Sequence, residues 1–316
     1  MINVLSYWHH SDLWWSLQLL CNRLGFTLSR MVGMEWYEKG FFDIYDPQIY
    51  AHKYLVDDVG LYQRLDPDFP SEKTLNFKSA LETPIDIILC SNRETERPLW
   101  DFARKHKPNA KLIRQVGNML DTVDIQKYPH TLYSDKQSFE ENQGHKILYH
   151  QEFRMDLFTY QLSVNKNRIY TFQNDYHQYK PAEVFSNQLK QKFPDYILKE
   201  YGRNTTGGFI FPKRDYIRAI REASFIWQVK HWEGYSHNIH SSFALGRPMI
   251  LRREDIKGKI FEPLCDETTT IFTDQLERIR TIDLQDMSAN CRIRFENTVN
   301  FDKEAEELKK FFELVL

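Results

Sequence analysis

The sequence lacks the short motifs that mark several large enzyme classes. It contains no G-x-x-x-x-G-K-[ST] phosphate loop and no G-x-G-x-x-G fingerprint, so the usual signatures of P-loop and dinucleotide-binding proteins are absent. It also contains no G-x-S-x-G elbow, and a serine hydrolase of the α/β-hydrolase type is therefore not supported. The function has to be sought in residues outside these motifs.

Cysteine is scarce, and no two cysteines form a C-x-x-C pair. Cys21, Cys90, Cys265 and Cys291 each lie in an apolar or mixed stretch, which is typical of reduced, buried thiols in a reducing compartment. No run of 18 apolar residues occurs. The apolar stretch at the N-terminus is too short for a signal peptide and lacks its basic flank. We therefore expect a cytoplasmic protein without a membrane span.

Charge of one sign is not in excess. The 42 Lys and Arg against 44 Asp and Glu give a net charge of −2, which argues against a basic surface that holds nucleic acid. No nucleic-acid partner is expected. Aromatic residues are abundant at 15%, and they suit both a large core and a cleft that binds sugars or bases.

Strand and helix patterns alternate along the chain, whose 316 residues fit two domains of ordinary size. Alternation of this kind predicts parallel sheets. The predicted fold class is α/β, with two Rossmann-like β/α/β domains facing each other across a cleft. The predicted strands are 2–6, 26–32, 84–91, 111–116, 168–173, 196–200, 224–229 and 249–252. The predicted helices include 12–24, 97–106, 182–192, 214–223 and 303–316.

The domain boundary is expected within 150–167, after a polar stretch at 134–150 that predicts a surface excursion. We assign residues 1–160 to an acceptor-side domain, 161–300 to a donor domain, and 301–316 to a terminal helix that can cross back to the first domain. Ligands of parallel sheets bind beyond the carboxyl ends of the strands. The loops expected there are 6–12, 90–97, 116–121, 173–180, 201–208 and 230–238.

The most informative stretch is 233–248. Glu233 and Gly234 form a predicted turn after a strand, Ser236 is a suitable helix N-cap, and Gly246 ends the helix. The start of a helix offers unpaired N–H groups and a positive dipole end, which suit a phosphate. Glu233 can accept hydrogen bonds from sugar hydroxyls. From these residues alone, an anion site and an ordinary strand–turn–helix unit both remain open.

Residues 211–250 resemble the donor domain of GT-B-fold glycosyltransferases. They have the family's order of a short helix, a strand, an E-G-x-S turn at 233–236, a helix ending A-x-G-x-P at 244–248, and a strand. Elsewhere only the β/α rhythm agrees. The resemblance implies transfer of a sugar from a nucleotide-diphosphate donor to a hydroxyl on a glycan, lipid or small molecule. It also implies that no metal and no cofactor beyond the nucleotide sugar is needed.

The chain departs from the family at the second carboxylate. Many retaining members carry a second Glu separated from the first by seven residues, where this sequence has Ser241, preceded by His240. Either residue can substitute for that Glu, or the chain can belong to an inverting or differently specific group. A sugar-nucleotide epimerase or phosphorylase, and a binding protein without catalysis, also remain open.

Candidate donor-site residues follow from the resemblance. It assigns Glu233 and Gly234 to the sugar and Ser236, His237 and Asn238 to the diphosphate. In two earlier predicted loops, 173–180 and 201–208, Lys180 or Arg203 supplies a cation for the leaving nucleotide, and Asn204 lies beside Arg203. No metal site is expected, because no convincing ligand set surrounds His237 and His240.

Candidate catalytic residues lie in the first half. An inverting transferase needs a general base for the acceptor hydroxyl, and His, Asp and Glu are the usual choices. His10 and Asp12 follow the first strand, and Glu35 follows the second. Asp12 is equally a natural helix N-cap.

Overall fold

The computed structural model describes residues 1–6, 11–31, 73–75, 77–90, 93–117, 123–162, 166–208, 210, 212–230 and 234–316. They divide into two compact units, unit 1 with residues 1–153 and 301–316, and unit 2 with residues 154–300. Each unit is built on a sheet whose paired strands all run parallel. The predicted fold class, two α/β units with parallel sheets, is thereby confirmed.

Unit 1 holds a seven-stranded sheet in the order β3-β2-β1-β4-β5-β6-β7 within the described residues. Its strands are β1 (Asn3–Ser6), β2 (Thr27–Met31), β3 (Lys73–Leu75), β4 (Ile87–Cys90), β5 (Lys111–Val116), β6 (His130–Tyr133) and β7 (His145–Leu148). The described helices are α1 (Ser11–Leu24), α2 (Phe77–Glu82), α3 (Arg93–His106), α4 (Lys136–Glu141) and, from the far end of the chain, α11 (Phe301–Val315). The central strand β4 is buried along its whole length, as expected for a strand covered on both faces.

Residues 134–150 belong to this sheet, so the prediction of a surface excursion there was wrong. The stretch contains the whole of α4 and the whole of the edge strand β7. The buried Asp135 carboxylate accepts a hydrogen bond of 3.0 Å from the backbone N–H of Ser138 and so caps α4. A short capped helix and an edge strand need few apolar residues, and the polar composition was therefore misleading.

The C-terminal helix α11 packs within unit 1. The ring of Phe312 meets that of Phe26 edge-on at 5.2 Å, and Phe311 stacks on His145 at 4.4 Å. The guanidinium of Arg23 bonds both Asp302, on this helix, and Glu152. Aromatic contacts and ion pairs together fix the helix against α1 and β7.

Unit 2 holds a five-stranded sheet in the order β12-β11-β10-β8-β9 within the described residues. Its strands are β8 (Arg168–Thr171), β9 (Ile197–Glu200), β10 (Phe225–Trp227), β11 (Met249–Leu251) and β12 (Thr270–Phe272). The helices are α5 (Lys180–Lys192), α6 (Lys213–Glu222), α7 (His237–Ala244), α8 (Arg253–Ile256), α9 (Arg278–Thr281) and α10 (Leu284–Thr298). The chain leaves β8 for β9 on one side and returns to β10 on the other. The strand order therefore reverses between β8 and β10, which is where doubly wound sheets bind ligands.

The described cysteines carry no disulfide, and Cys21, Cys90 and Cys291 are buried. Burial raises the pKa of the Cys21 thiol to about 12. Within the described part of the chain, none of the helices combines the length and apolar character that crossing a membrane requires.

Candidate functional site

Two loops meet at the point where the strand order of unit 2 reverses. Gln173 lies just beyond β8, and its side-chain amide donates to the carbonyl oxygen of Val229 at 2.9 Å. The side-chain amide oxygen of Gln173, Oε1, accepts from the backbone N–H of Val229 at 3.2 Å. Because both bonds go to the backbone of Val229, Gln173 fastens the loop after β10 to the loop after β8.

A second glutamine holds the residue that begins α7. The Nε2 atom of Gln228, directly after β10, donates to the hydroxyl oxygen of Ser236 at 3.0 Å, and both side chains are buried. Ser236 has φ 56° and ψ 80°, a left-handed conformation that is costly for a residue with a Cβ. Ser236 occupies the N-cap position as predicted, but its side chain makes no capping bond.

The backbone N–H groups of Asn238 and Ile239, in the first turn of α7, are consequently left without the usual side-chain cap. A serine N-cap normally accepts from the second or third N–H of the helix. Here the first intrahelical bond shown runs from the His240 N–H to the Ser236 carbonyl at 3.3 Å. Within the described residues, the N–H groups of Asn238 and Ile239 donate to no carbonyl. Such a helix start is a ready site for an anion.

Asn238 connects the start of α7 to an aromatic group. Its amide nitrogen donates to the carbonyl oxygen of Phe172 at 3.1 Å, and its amide oxygen accepts from the Tyr216 hydroxyl at 2.9 Å. The ring of Tyr216 meets Phe172 edge-on at 5.1 Å. The Asn238 side chain is thus engaged in structure, which leaves its backbone N–H for a ligand.

His240 and Ser241, the residues at the position of the family's second carboxylate, are both buried. The Nδ1 atom of His240 lies 3.0 Å from the Ser236 carbonyl oxygen, so Nδ1 carries the proton that it donates there. The ring stacks on Tyr235 at 4.0 Å. Among the described residues, no group of three His, Cys, Asp or Glu side chains is placed to hold a metal.

The loop after β9 is locked to the loop after β8 by Arg203, Asn204 and Asp175. The Arg203 guanidinium pairs with the Asp175 carboxylate, and Asn204 Nδ2 donates to the same carboxylate at 2.8 Å. The backbone N–H of Arg203 donates to the side-chain oxygen of Asn174, Oδ1, at 2.9 Å. Asp175 and Asn204 both adopt positive φ, at 49° and 52°. The predicted cation Arg203 therefore lies at the carboxyl edge of the sheet with part of its charge offset by Asp175.

The other predicted site residues are more dispersed. Lys180 opens α5 with a side chain that is 80% exposed and pairs with Glu183 at 3.0 Å. Gly234 is buried just before Ser236. Asp12 falls in the first turn of α1, with its side chain outside the described part. The predicted residues outside the described part altogether are His10, Glu35 and Glu233.

Sequence reasoning missed Gln173, Gln228 and the contact of Tyr216 with Asn238. Each glutamine directly follows an apolar residue, Phe172 or Trp227, and lies at or just before the start of a predicted ligand loop. A polar side chain at that place, with an apolar run before it, is the signal that could have indicated them. Tyr216 gave no such signal, because its partner lies 22 residues further along the chain.

Comparison with other proteins gives similarity in fold alone. No protein-family model and no curated protein matches the sequence. The solved structure of a trehalose-6-phosphate synthase, OtsA, is similar over 100% of both chains, with a TM-score of 0.66 and 10% identity. The pneumococcal O-GlcNAc transferase GtfA, solved with UDP and GlcNAc, is similar over 99% of both chains, with a TM-score of 0.62 and 10% identity.

A third similar structure is that of TarM from S. aureus, solved with UDP, with a TM-score of 0.57 and 10% identity. The match covers 72% of this chain and 55% of the TarM chain, so this chain spans about half the length of TarM. These neighbours have the two-domain α/β fold of GT-B glycosyltransferases, and the chain described here has that fold.

Proposed function

We propose that the protein is a glycosyltransferase that moves a sugar from a nucleotide-diphosphate donor to a hydroxyl acceptor without a metal ion. The observation that carries the proposal is the start of α7, which lies at the reversal of strand order and has a serine N-cap that does not cap it. An anion is the ligand that such a helix start favours. The solved neighbours with UDP support a nucleotide diphosphate as that anion.

The reaction that we propose exchanges one C–O bond for another. The bond between the anomeric carbon and the diphosphate oxygen breaks, and the bonding electrons leave with the nucleotide diphosphate. The acceptor hydroxyl forms the new bond to the anomeric carbon, and its proton passes to a base of the protein. His10, Asp12 and Glu35 are the proposed candidates for that base.

Fixed positive charge assists this departure because negative charge grows on the diphosphate oxygen. The N-terminal end of α7 supplies a partial positive charge through its aligned peptide dipoles. The Arg203 guanidinium, 27% exposed in its side chain, supplies a full charge at the same edge of the sheet. The proposed roles of Glu233 and Gly234 are to hold the sugar.

The first experiment is a thermal-shift screen with UDP, GDP, ADP and TDP, each with and without magnesium. A ligand at about 100 times its Kd stabilises the folded protein by about 2.7 kcal/mol, which moves Tm by a few degrees. We expect one nucleotide to raise Tm equally with and without magnesium. A shift that depends on magnesium contradicts the metal-free proposal, and no shift with any nucleotide contradicts the donor site.

Turnover then separates the proposal from its alternatives. A transferase needs an added acceptor to consume the nucleotide sugar, whereas an epimerase converts the nucleotide sugar alone and a phosphorylase needs phosphate. Substitution of Glu233 or Ser236 is expected to abolish transfer. Ser241 at the place of the family's second Glu favours one further candidate, a non-catalytic binding protein. That candidate predicts nucleotide binding without turnover of any tested sugar or acceptor.

A further inference from the structure

The side chains of Gln228 and Ser236 form a buried pair beside the open start of α7. Gln228 is 5% exposed and Ser236 is 2% exposed. The amide nitrogen of Gln228 donates to the Ser236 hydroxyl oxygen at 3.0 Å. Gln228 is itself held at the sheet, because its backbone N–H donates to the Ile250 carbonyl oxygen at 3.1 Å. The direction of the side-chain bond decides what the serine hydroxyl can do.

A serine hydroxyl has one proton to donate and two lone pairs that accept. Because Gln228 presents an N–H to the oxygen, the Ser236 proton has to point away from Gln228. No acceptor for that proton is found among the described residues. The proton is therefore free to be donated to a ligand, beside the uncapped N–H groups of Asn238 and Ile239.

The backbone at Ser236 adds to this arrangement. Its positive φ of 56° turns the residue away from the extended conformation in which a serine caps its own helix. Gln228 holds the side chain, and His240 donates to the Ser236 carbonyl oxygen at 3.0 Å. A left-handed residue that costs free energy and is held from both sides indicates a purpose other than capping.

We propose that Gln228 is a positioning residue for the donor diphosphate, acting through Ser236, whose hydroxyl it holds as a hydrogen-bond donor to a phosphate at the start of α7. This inference rests on the proposed function and deepens it. Gln228 itself does not touch the ligand. The effect of Gln228 therefore depends on the presence of the Ser236 hydroxyl.

The test measures Kd by calorimetry for UDP, GDP, ADP and TDP and for the corresponding nucleosides. The variants are Gln228→Met, Gln228→Glu, Ser236→Ala and the double variant Gln228→Met/Ser236→Ala. Methionine keeps the length of glutamine without its hydrogen bond. Glutamate reverses the bond, because its carboxylate accepts the serine proton and adds a negative charge near the phosphate.

We expect Gln228→Met and Ser236→Ala each to weaken binding of the diphosphate about tenfold, the worth of one hydrogen bond. Gln228→Glu should weaken it further, on the order of a hundredfold. The double variant should be no weaker than Ser236→Ala. Nucleoside affinity should stay within about twofold in every variant, since the effect lies at the phosphate.

The matched control is Gln115→Met. Gln115 is a buried glutamine of β5 whose amide nitrogen also donates to a hydroxyl, that of Tyr149. Its loss should lower Tm without changing the affinity for any nucleotide. If Gln228→Met does not fold, the comparison of Gln228→Glu with Ser236→Ala still tests the direction of the bond.

The outcomes separate the two proposals. Wild-type binding with an unchanged diphosphate Kd in Gln228→Met and Gln228→Glu overturns the role of Gln228 and leaves the donor site standing. Equal losses for diphosphate and nucleoside, or additive losses in the double variant, also overturn it. A wild-type protein that binds none of the four diphosphates overturns the inference together with the function on which it rests.

Discussion

The side chain of Glu304 clamps His150 from two directions. One carboxylate oxygen lies 2.7 Å from Nδ1 of the imidazole, and the other accepts from the His150 backbone N–H at 2.7 Å. Both residues are mostly buried, with side-chain exposures of 13% and 17%. The two residues are 154 positions apart, so this contact fastens α11 to the end of the sheet in unit 1.

Glu304→Ala should therefore destabilise the protein by about 2 kcal/mol, because it leaves a partly buried N–H and an imidazole without their acceptor. Urea unfolding monitored by tryptophan fluorescence measures the change. Glu306→Ala, on the exposed face of the same helix, is the control and should change stability by less than about 0.5 kcal/mol. Equal effects of the two substitutions would contradict the clamp.

The pair His130 and His145 makes stability depend on pH. Their Nδ1 atoms lie 3.1 Å apart on the paired strands β6 and β7. Burial lowers the pKa of His130, with smaller contributions from His145 and from Lys111. The neutral form is thus favoured in the folded state, and the unfolded chain binds the proton more readily.

The His130 contribution is complete above the unfolded pKa of about 6.5 and is lost as pH falls through the lower folded value. We expect the urea midpoint to fall between about pH 7.5 and pH 5.5. The fall should be smaller in His130→Gln, and the difference between the two proteins isolates this group from the carboxylates. A larger fall in the variant would reverse the assigned sign.

Arg203 tests the charge proposed for the donor site. Arg203→Met should weaken nucleoside diphosphate binding about tenfold, because a charge-assisted contact to phosphate is lost. Arg218→Met is the control, since Arg218 lies on α6 with a 70% exposed side chain paired to Asp215. Calorimetry at two salt concentrations should show a weaker salt dependence in Arg203→Met alone. Equal salt dependence in both variants would remove Arg203 from the site.

Arg247 is a buried cation whose partners are backbone carbonyls. It is 1% exposed, and its guanidinium donates to the carbonyl oxygens of Arg221, Gln161 and Leu245 at 3.0, 2.8 and 2.9 Å. Burial lowers its pKa to about 10. Arg247→Met should cost about 3 kcal/mol, since several buried or partly buried carbonyls lose their donor.

Arg247→Lys should not restore the lost stability, because an ammonium cannot reach carbonyls on several sides at once. Chemical unfolding of both variants measures their free energies of unfolding, and Arg218→Met serves as the exposed control. If Arg247→Lys is as stable as the wild-type protein, the positive charge matters and the planar geometry of the guanidinium does not.

Alanine substitutions at Gly246 and Gly258 distinguish the stability cost of backbone strain from that of a steric clash. Both have positive φ, at 66° and 73°. A Cβ on Gly246 would meet the Tyr160 ring at 2.3 Å, whereas a Cβ on Gly258 would meet nothing within 4 Å. Gly258→Ala should cost about 1 kcal/mol from strain. Gly246→Ala should cost at least about 1 kcal/mol more, and calorimetric Tm values should keep that order.

The sequence predicted best what local patterns determine. The apolar run of β4, the strand β5 and the end of α7 at Gly246 all lie where the sequence places them. A continuous apolar run and a helix-terminating glycine act over a few residues, so their effect is visible in the sequence. The predicted strands of unit 2 were too long by one to three residues, because strand pairing ends at positions that the local sequence pattern does not mark.

Contacts between distant residues were out of reach. The sequence predicted Ser236 as a helix cap, but the side chain of Gln228, eight residues earlier, donates a hydrogen bond to the Ser236 hydroxyl oxygen. Arg203 was predicted as a cation for phosphate, while its partner Asp175 is 28 residues away. The strand β12, of three residues, is too short to show periodicity. Such features depend on which strand ends the fold brings together.

The two-part composition of unit 1 sets the order in which the protein can fold during synthesis. Unit 2, residues 154–300, lies in the chain between the two parts of unit 1. The ribosome therefore completes all of unit 2 before it makes α11, which supplies Phe311, Phe312 and Glu304 to unit 1. Domains commonly fold in the order of their synthesis. In this chain, the unit that is begun first is the one that is finished last.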